Sequence, residues 1–362
     1  MYFAFLFYLK DSFGGAERRI ARIYNELCEE NESIKCDIVV RGCDRNKALK
    51  LFKQADCDIS HFNRLVAFKS PLICFMYLLF TRRYRLVQFF SASNYNIAVQ
   101  CACKLSKKMS LYTICGYQEA CNTFPEPHMK KVRKQLELAD YIDLLNPTGI
   151  SFVSKHIKKG KLSITPGTFT DLKVFKPQTK RKKIVYAAAR LEESKNPKLF
   201  IEGINECKDE IRENGYYVYL LGKGKEEQYL RDYISQNRLS QIVELVGYDK
   251  TSKYLPTASV FFSLQKLENY PSQSLAEAAA SGCFLIITDV GDSRKCADDS
   301  FAAFINDDPK KLAEELKRYI SFSEEEKEQV IMNARKFSEE NYSIEKSKAY
   351  FEKLLLDAEK ER

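Results

Sequence analysis

Residues 268–282 read ENYPSQSLAEAAASG, and this stretch decides the fold. The apolar run ASVFFSL (258–264) precedes it and CFLIIT (283–288) follows, which reads as strand, loop, helix, strand. Ala276, the small residues 278–281 and Gly282 let the helix pack closely on a sheet. Pro271 bars a helix from running through from upstream. Ser272 or Ser274 can cap the helix start, because a short hydroxyl side chain accepts from free first-turn amides. Free amides and the positive helix end suit a diphosphate. Glu268 and Glu277 flank that anion site, one in the loop and one a turn inside the helix. Ser274 and Glu277 also fit a capping box, in which the glutamate merely bonds back to the cap amide.

A chain of 362 residues has room for two or three domains. With 45% hydrophobic and 30% charged residues it has the composition of an ordinary soluble globular protein. No apolar run approaches the roughly 20 residues of a spanning helix. The first residues, MYFAFLFYLKDSFGG, lack a basic n-region and an A-x-A site, so they read as a first strand and not as a signal peptide. The 12 cysteines form no C-x-x-C pair and fit buried thiols in a reducing cytoplasm. Charge is uneven: residues 1–180 carry a balance of +13 and residues 181–362 one of −4. An anionic partner of the first half is expected, whether membrane surface, nucleic acid or phosphorylated substrate; the competing reading is a solvated basic face.

Alternation runs through the chain. Residues 2–8 (YFAFLFY) read as a buried strand, 11–15 as a loop, 16–30 as a helix and 37–41 as the next strand. Gly14 and Gly15 let a ligand approach the backbone, though they are not part of a G-x-G-x-x-G fingerprint. PLICFMYLLF (71–80) carries no charge and precedes Arg82, Arg83 and Arg85. Too short to span, it is either a core helix, the first choice, or a membrane-facing one. LVQFF (86–90), SLYTIC (110–115) and YIDLL (141–145) read as further strands, and KKVRKQLEL (130–138) as a basic amphipathic helix. Residues 162–177 are turn-rich and mark a hinge. A second series follows, with strands at 184–188, 217–221, 242–246, 260–264 and 284–288 and a helix over 343–356. The pattern implies parallel sheets covered on both faces, with ligands at the carboxyl ends of strands.

The chain resembles glycosyltransferase family 4, the retaining sugar-nucleotide transferases of GT-B fold. The resemblance rests on GGAERR (14–19), TPGTFTD (165–171), AAARLEESKNP (187–197), LLGKGKEE (220–227), LVGY (245–248), the opening stretch and TDVGDSR (288–294), in family order. It implies an α/β GT-B fold of two doubly wound Rossmann-like domains facing a central cleft. These would be an acceptor-side domain over 1–165, a nucleotide-sugar domain over 166–342, and a helix over 343–362 crossing back to the first domain. It implies that Arg190 and Lys195 neutralise the donor diphosphate, whose charge grows as the glycosidic bond breaks. Glu277 resembles the glutamate that binds ribose hydroxyls, a role its acceptor-only oxygens suit. The amides of Ser274 and Leu275 would hold the phosphates, and Glu268 would lie beside the donor sugar. Gly222, Lys223, Gly247 and Tyr248 match loops around the base; Gly14 and Gly15 match the loop that closes over diphosphate and sugar.

The chain departs from the family pattern twice. Eight residues separate the glutamates where seven are usual, with the extra one around 272–274. Where many members carry a histidine after the strand matching SLYTIC, this chain reads Cys115, Gly116, Tyr117 and Gln118; His61, His128 and His156 do not align there and read as surface or satisfied polar residues. Asp56 and Asp58 give a D-x-D look, but no metal or other cofactor is expected, since two cations and a helix end already neutralise the diphosphate.

The expected function is therefore retaining transfer of a sugar, a hexosyl group, from a nucleoside-diphosphate sugar, UDP or GDP. The acceptor would be the hydroxyl of a sugar or lipid-linked sugar in bacterial polysaccharide or glycolipid assembly. The expected setting is the cytoplasm, with peripheral contact to anionic membrane on its inner face. Competing readings are a catalytically silent membrane-associated partner subunit and a sugar-nucleotide epimerase. Nucleic-acid binding would explain the basic half but none of the cleft motifs.

Overall fold

The computed structural model describes residues 2–9, 15–54, 57–179, 182–268, 270 and 272–360, the side chains of 15, 16 and 189 aside. The chain divides into two compact units, residues 1–166 with 345–362, and residues 167–344.

Unit 1 opens with β1 (Tyr2–Tyr8), α1 (Gly15–Glu30), β2 (Lys35–Arg41), α2 (Arg45–Gln54), β3 (Arg64–Phe68) and α3 (Pro71–Phe80). It continues with β4 (Leu86–Phe90), α4 (Asn94–Leu105), β5 (Met109–Ile114), α5 (Tyr117–Ala120) and α6 (Glu126–Leu138). β6 (Tyr141–Leu144), α7 (Ile150–His156) and β7 (Lys161–Ile164) complete the series. The strands form one parallel sheet in the order β3-β2-β1-β4-β5-β6-β7. β1 is apolar without alternation because helices cover both faces of a parallel sheet, and Phe3 to Phe7 are buried. Edge-to-face rings of Phe5, Phe7, Tyr24 and Phe90 fill the space beside it.

The C-terminal helix α14 (Ile344–Lys360) belongs to this unit. Phe351 packs edge-on to Tyr24, and Tyr350 Oη donates to the buried Asp143 Oδ1 at 2.7 Å. Burial pushes the Asp143 carboxyl up, while hydrogen bonds from Thr165, Tyr350 and Thr113 oppose that shift. Lys348 reaches Glu30 at 2.6 Å and Glu345 at 2.8 Å.

PLICFMYLLF is not the core helix that its composition favoured. α3 buries only Cys74 and Leu78, while Leu72, Ile73, Met76 and Phe80 are exposed. Ser70 capping and Pro71 at the first position start the helix here, and an apolar composition does not by itself decide which way it faces.

Unit 2 begins with β8 (Lys183–Arg190), α8 (Pro197–Glu206), α9 (Lys208–Glu213), β9 (Tyr217–Lys223) and α10 (Glu227–Gln236). Then come β10 (Val243–Gly247), β11 (Ala258–Ser263), α11 (Gln273–Ala280), β12 (Phe284–Thr288), β13 (Ala302–Ile305), α12 (Pro309–Ile320) and α13 (Glu324–Asn341). Its parallel sheet runs β10-β9-β8-β11-β12-β13. The doubly wound α/β expectation thus holds for both units. Ala276, Ala278, Ala279 and Ala280 are buried, as close packing of a small-residue helix requires. Arg335 holds the far end of α11: its guanidinium donates to Ala280 O at 3.1 Å and to Phe175 O at 2.8 Å. Among the described residues no helix is long and apolar enough to cross a membrane.

Candidate active site

Strand order places the site of unit 2. The chain leaves β8 toward β9 on one side and returns through β11 on the other. Loops that diverge at such a point leave a crevice at the carboxyl ends of the strands. The loops after β8 and β11 are stitched together there. Lys266 N donates to Ser194 O at 3.1 Å, and Lys266 Nζ lies 3.0 Å from Glu193 Oε1.

The first loop carries the two cations. Arg190 ends β8 opposite Lys223 of β9, its side chain exposed and 3.7 Å from Glu192 Oε2. Lys195 closes a 3₁₀ turn over Glu193–Lys195, and its carbonyl accepts from Tyr186 Oη at 2.6 Å. Burial, and secondarily the Arg190 charge, hold the Lys195 ammonium below its ordinary range. Two neighbouring cations that disfavour each other in the free protein are each relieved when an anion binds between them.

The second loop ends in α11. Its cap residue is Ser272, not Ser274, and the Ser272 side chain makes no capping hydrogen bond. The first intrahelical bond runs from Ala276 N to Ser272 O at 3.1 Å, so the amides of Gln273, Ser274 and Leu275 lie ahead of the helical ladder. The capping-box alternative fails on geometry. Glu277 Oε2 accepts from Thr251 Oγ1 at 2.6 Å and Oε1 from Gln273 Nε2 at 3.3 Å. Gln273 also donates to Phe169 O at 3.0 Å and accepts from Thr168 Oγ1 at 2.8 Å. The Thr165–Asp171 motif and α11 are joined through this one amide, at the position where the chain has its extra residue.

Glu268 lies against the loop after β12. A Cβ added at Gly291, whose φ is +53°, would meet Glu268 Oε2 at 2.5 Å. Gly222 serves packing: at φ +129°, a Cβ there would collide with the Ala188 carbonyl oxygen. The Lys223 stem covers Gly247, whose added Cβ would meet Lys223 Cε at 3.3 Å, and Tyr248 stands exposed beside them. Unit 2 therefore gathers Arg190, Lys195, Glu268, Ser274, Leu275, Glu277, Gly222, Lys223, Gly247 and Tyr248 at the carboxyl end of one sheet. Gly15 opens α1 in unit 1, whereas Gly14 lies outside the described residues.

Asp56 also lies outside the described residues; Asp58 accepts from Ser60 and Asn25. Among the described residues no cluster of metal-ligating side chains occurs. The histidines have partners: His61 is 3.6 Å from Glu29, His156 Nδ1 is 2.8 Å from Phe152 O, and His128 Nε2 is 2.9 Å from Glu119. Sequence reasoning missed Thr251, Gln273, Thr168 and Lys266. Each is a lone polar residue in a loop or first turn, and only the extra residue between the glutamates drew attention to 272–274.

Residues 169–337 match the model of the family described as glycosyl transferases group 1. With this domain the chain is a glycosyltransferase. No match was found among curated proteins. Solved structures match over the full length. HepE of Anabaena in complex with UDP is 12% identical, with a TM-score of 0.80 over 99% of this chain and 100% of that one. Sucrose-phosphate synthase of Thermosynechococcus elongatus is 14% identical, with a TM-score of 0.75 over 100% of both chains. A TarM variant of S. aureus, in complex with fondaparinux, α-GlcNAc-glycerol and UDP, is 12% identical, with a TM-score of 0.69 over 98% and 99%. At these identities the likeness establishes the fold, which is GT-B.

Proposed function

We propose that the chain is a retaining glycosyltransferase of family 4 that moves a hexosyl group from a UDP- or GDP-sugar to an acceptor hydroxyl. The acceptor is a sugar or lipid-linked sugar in cytoplasmic assembly of a polysaccharide or glycolipid. One observation supports the reading: the loop after β8, which carries Arg190 and Lys195, is joined by Lys266 to the loop after β11 that leads into α11, and Thr251 holds Glu277 there.

In this reading the nucleotide ribose takes the Glu277 carboxylate, and the base lies near Gly222, Lys223, Gly247 and Tyr248. The diphosphate takes the amides of Ser274 and Leu275 with both cations. The bond from the anomeric carbon to the diphosphate oxygen breaks, and the two electrons stay on that oxygen. Arg190 and Lys195 meet the charge as it develops, which favours the transition state over the bound donor. The acceptor oxygen bonds to the same face of the anomeric carbon and its proton passes to the departing phosphate oxygen. Glu268 positions the donor sugar. No divalent cation is required, because fixed cations and helix-start amides perform its electrostatic work.

The test is incubation with UDP- and GDP-sugars and a lipid and glycan extract, with products read by mass and anomeric configuration by NMR. A glycosylated product with the donor's configuration supports the reading. Release of free nucleotide with an altered sugar in the absence of acceptor, or donor binding without consumption, replaces it.

A further inference from the structure

The outer face of α3 has the wrong composition for water. Leu72, Ile73 and Phe80 are 68%, 58% and 68% exposed and Met76 is 42% exposed, four large apolar side chains on a ten-residue helix. Their spacing puts them on one side, away from Cys74 and Leu78, which face the core. The patch continues onto the end of α4. Lys108 Nζ donates to Leu79 O at 3.2 Å and Met109 N to Arg85 O at 2.8 Å, which pins the turn after α4 beside the turn after α3. Leu105, 81% exposed, is the last residue of α4, the helix that packs on α3. A contiguous exposed apolar patch of this kind marks a surface that meets another apolar phase.

Charge decides which one. Between Asp58 and Glu119 the chain has no acidic residue and eight basic ones. Of these, Lys69 is paired with Asp44 and Arg83 with the buried Asp37. Arg82, Arg85, Lys104 and Lys107 are exposed on the two turns that border the apolar face. α4 packs against both α3 and α6, so the exposed Lys130 and Lys134 of α6 extend the same helical layer. A protein partner would need acidic groups spaced to match these scattered cations, whereas an anionic bilayer supplies apolar depth and a continuous negative plane.

We propose that the α3 face, with Leu105, is a docking surface for anionic lipid bilayer. The helix lies in the plane of the interface, Leu72, Ile73, Met76, Phe80 and Leu105 enter the acyl boundary, and the bordering cations meet phosphate headgroups. Docking is reversible and salt-sensitive, because the attraction is screened as the Debye length falls from about 10 Å at 0.1 M to about 3 Å at 1 M salt. The proposal does not depend on the sugar-transfer reading, since no nucleotide or acceptor takes part.

The chain has no tryptophan, so one can be introduced as a sole reporter. Phe80→Trp is mixed with vesicles of phosphatidylcholine alone, or with added phosphatidylglycerol, each with and without acyl-brominated lipid. With anionic vesicles at low salt, a blue shift and quenching by brominated chains are expected. Neutral vesicles and high salt should abolish both. Met332→Trp, an exposed site on α13 of unit 2, should show neither response. In sedimentation with the unmodified chain as reference, Leu72→Ser with Ile73→Ser and Met76→Ser should lower vesicle affinity at least tenfold. Arg82→Gln with Arg85→Gln, Lys104→Gln and Lys107→Gln should do the same. Both variants should keep the melting temperature, and both sites lie on the surface, so folding is not the expected casualty. The proposal is overturned if the unmodified chain stays in the supernatant with anionic vesicles at low salt, or if the indole of the Phe80→Trp variant shows no quenching. It is equally overturned if the triple serine variant turns a lipid-free dimer into a monomer, because a second copy then covers the face.

Discussion

Thr251 Oγ1 donates to Glu277 Oε2 at 2.6 Å, joining the turn after β10 to the first turns of α11. Gln273 Nε2 approaches the other carboxylate oxygen at 3.3 Å, so both oxygens of Glu277 are oriented from within unit 2. A carboxylate held this way loses little freedom when it accepts ribose hydroxyls. Thr251→Val should therefore weaken nucleoside-diphosphate binding by about 3- to 10-fold, the worth of one hydrogen bond of about 1 kcal/mol. Glu277→Ala removes the proposed acceptor and should cost roughly 10- to 100-fold. Calorimetric titration checks both. Equal affinity of the Thr251 variant and the parent would show that the bond orients nothing of consequence.

Lys195 gives a pH prediction. Its pKa is depressed by burial and by Arg190, so it loses its proton at lower pH than an exposed lysine. If the protonated form binds the diphosphate, as proposed, affinity for UDP should be full at lower pH and fall as pH rises through that depressed value. Lys195→Arg stays charged throughout and should flatten this alkaline limb. A limb of the same position in both proteins would assign it to another group.

Turnover should survive EDTA. In the proposed reading Arg190, Lys195 and the amides of α11 supply the positive charge that a divalent ion otherwise brings to a diphosphate. Loss of turnover in chelator, restored by magnesium or manganese, would return attention to Asp58 and its neighbourhood.

Gly222→Ala tests the structural side of the site. At φ +129° an added Cβ meets the Ala188 carbonyl oxygen, which belongs to the adjacent strand and cannot swing away. Backbone strain of this kind costs about 1–3 kcal/mol before the clash is counted. At about 2–4 °C per kcal/mol for a domain of this size, the melting temperature should drop by several degrees or more. An unchanged melting temperature would mean that the loop relaxes freely and that Gly222 is not a packing residue.

Most of the fold was legible because interior parallel strands are uncharged runs between helical spacings. LVQFF and FLIIT match β4 and β12 residue for residue. The three strands that sequence reading passed over, RLVAF, KLSI and AAFI, are β3, β7 and β13, and each is an edge strand. An edge is covered less fully, so its residues carry a weaker apolar signal: β3 and β7 hold no fully buried residue. The turn-rich reading of 162–177 hid β7 for the same reason. α3 shows the converse limit, since an apolar helix that faces outward has the composition of one that faces in. At the site, residue types and order pointed to the crevice, but the bonds that orient it did not show. Nothing in a lone threonine four residues after Gly247 announces that it reaches a carboxylate 26 positions away.

In the proposed reading unit 2 binds a nucleoside-diphosphate sugar in its switch-point crevice. Calorimetric titration of UDP- and GDP-sugars into the chain and into Glu277→Ala, with folding of both checked by melting temperature, tests it most directly. Saturable one-to-one binding of at least one donor is expected, with a loss of at least tenfold in the folded variant. Absence of binding by any donor, or an unchanged affinity in Glu277→Ala, would contradict it.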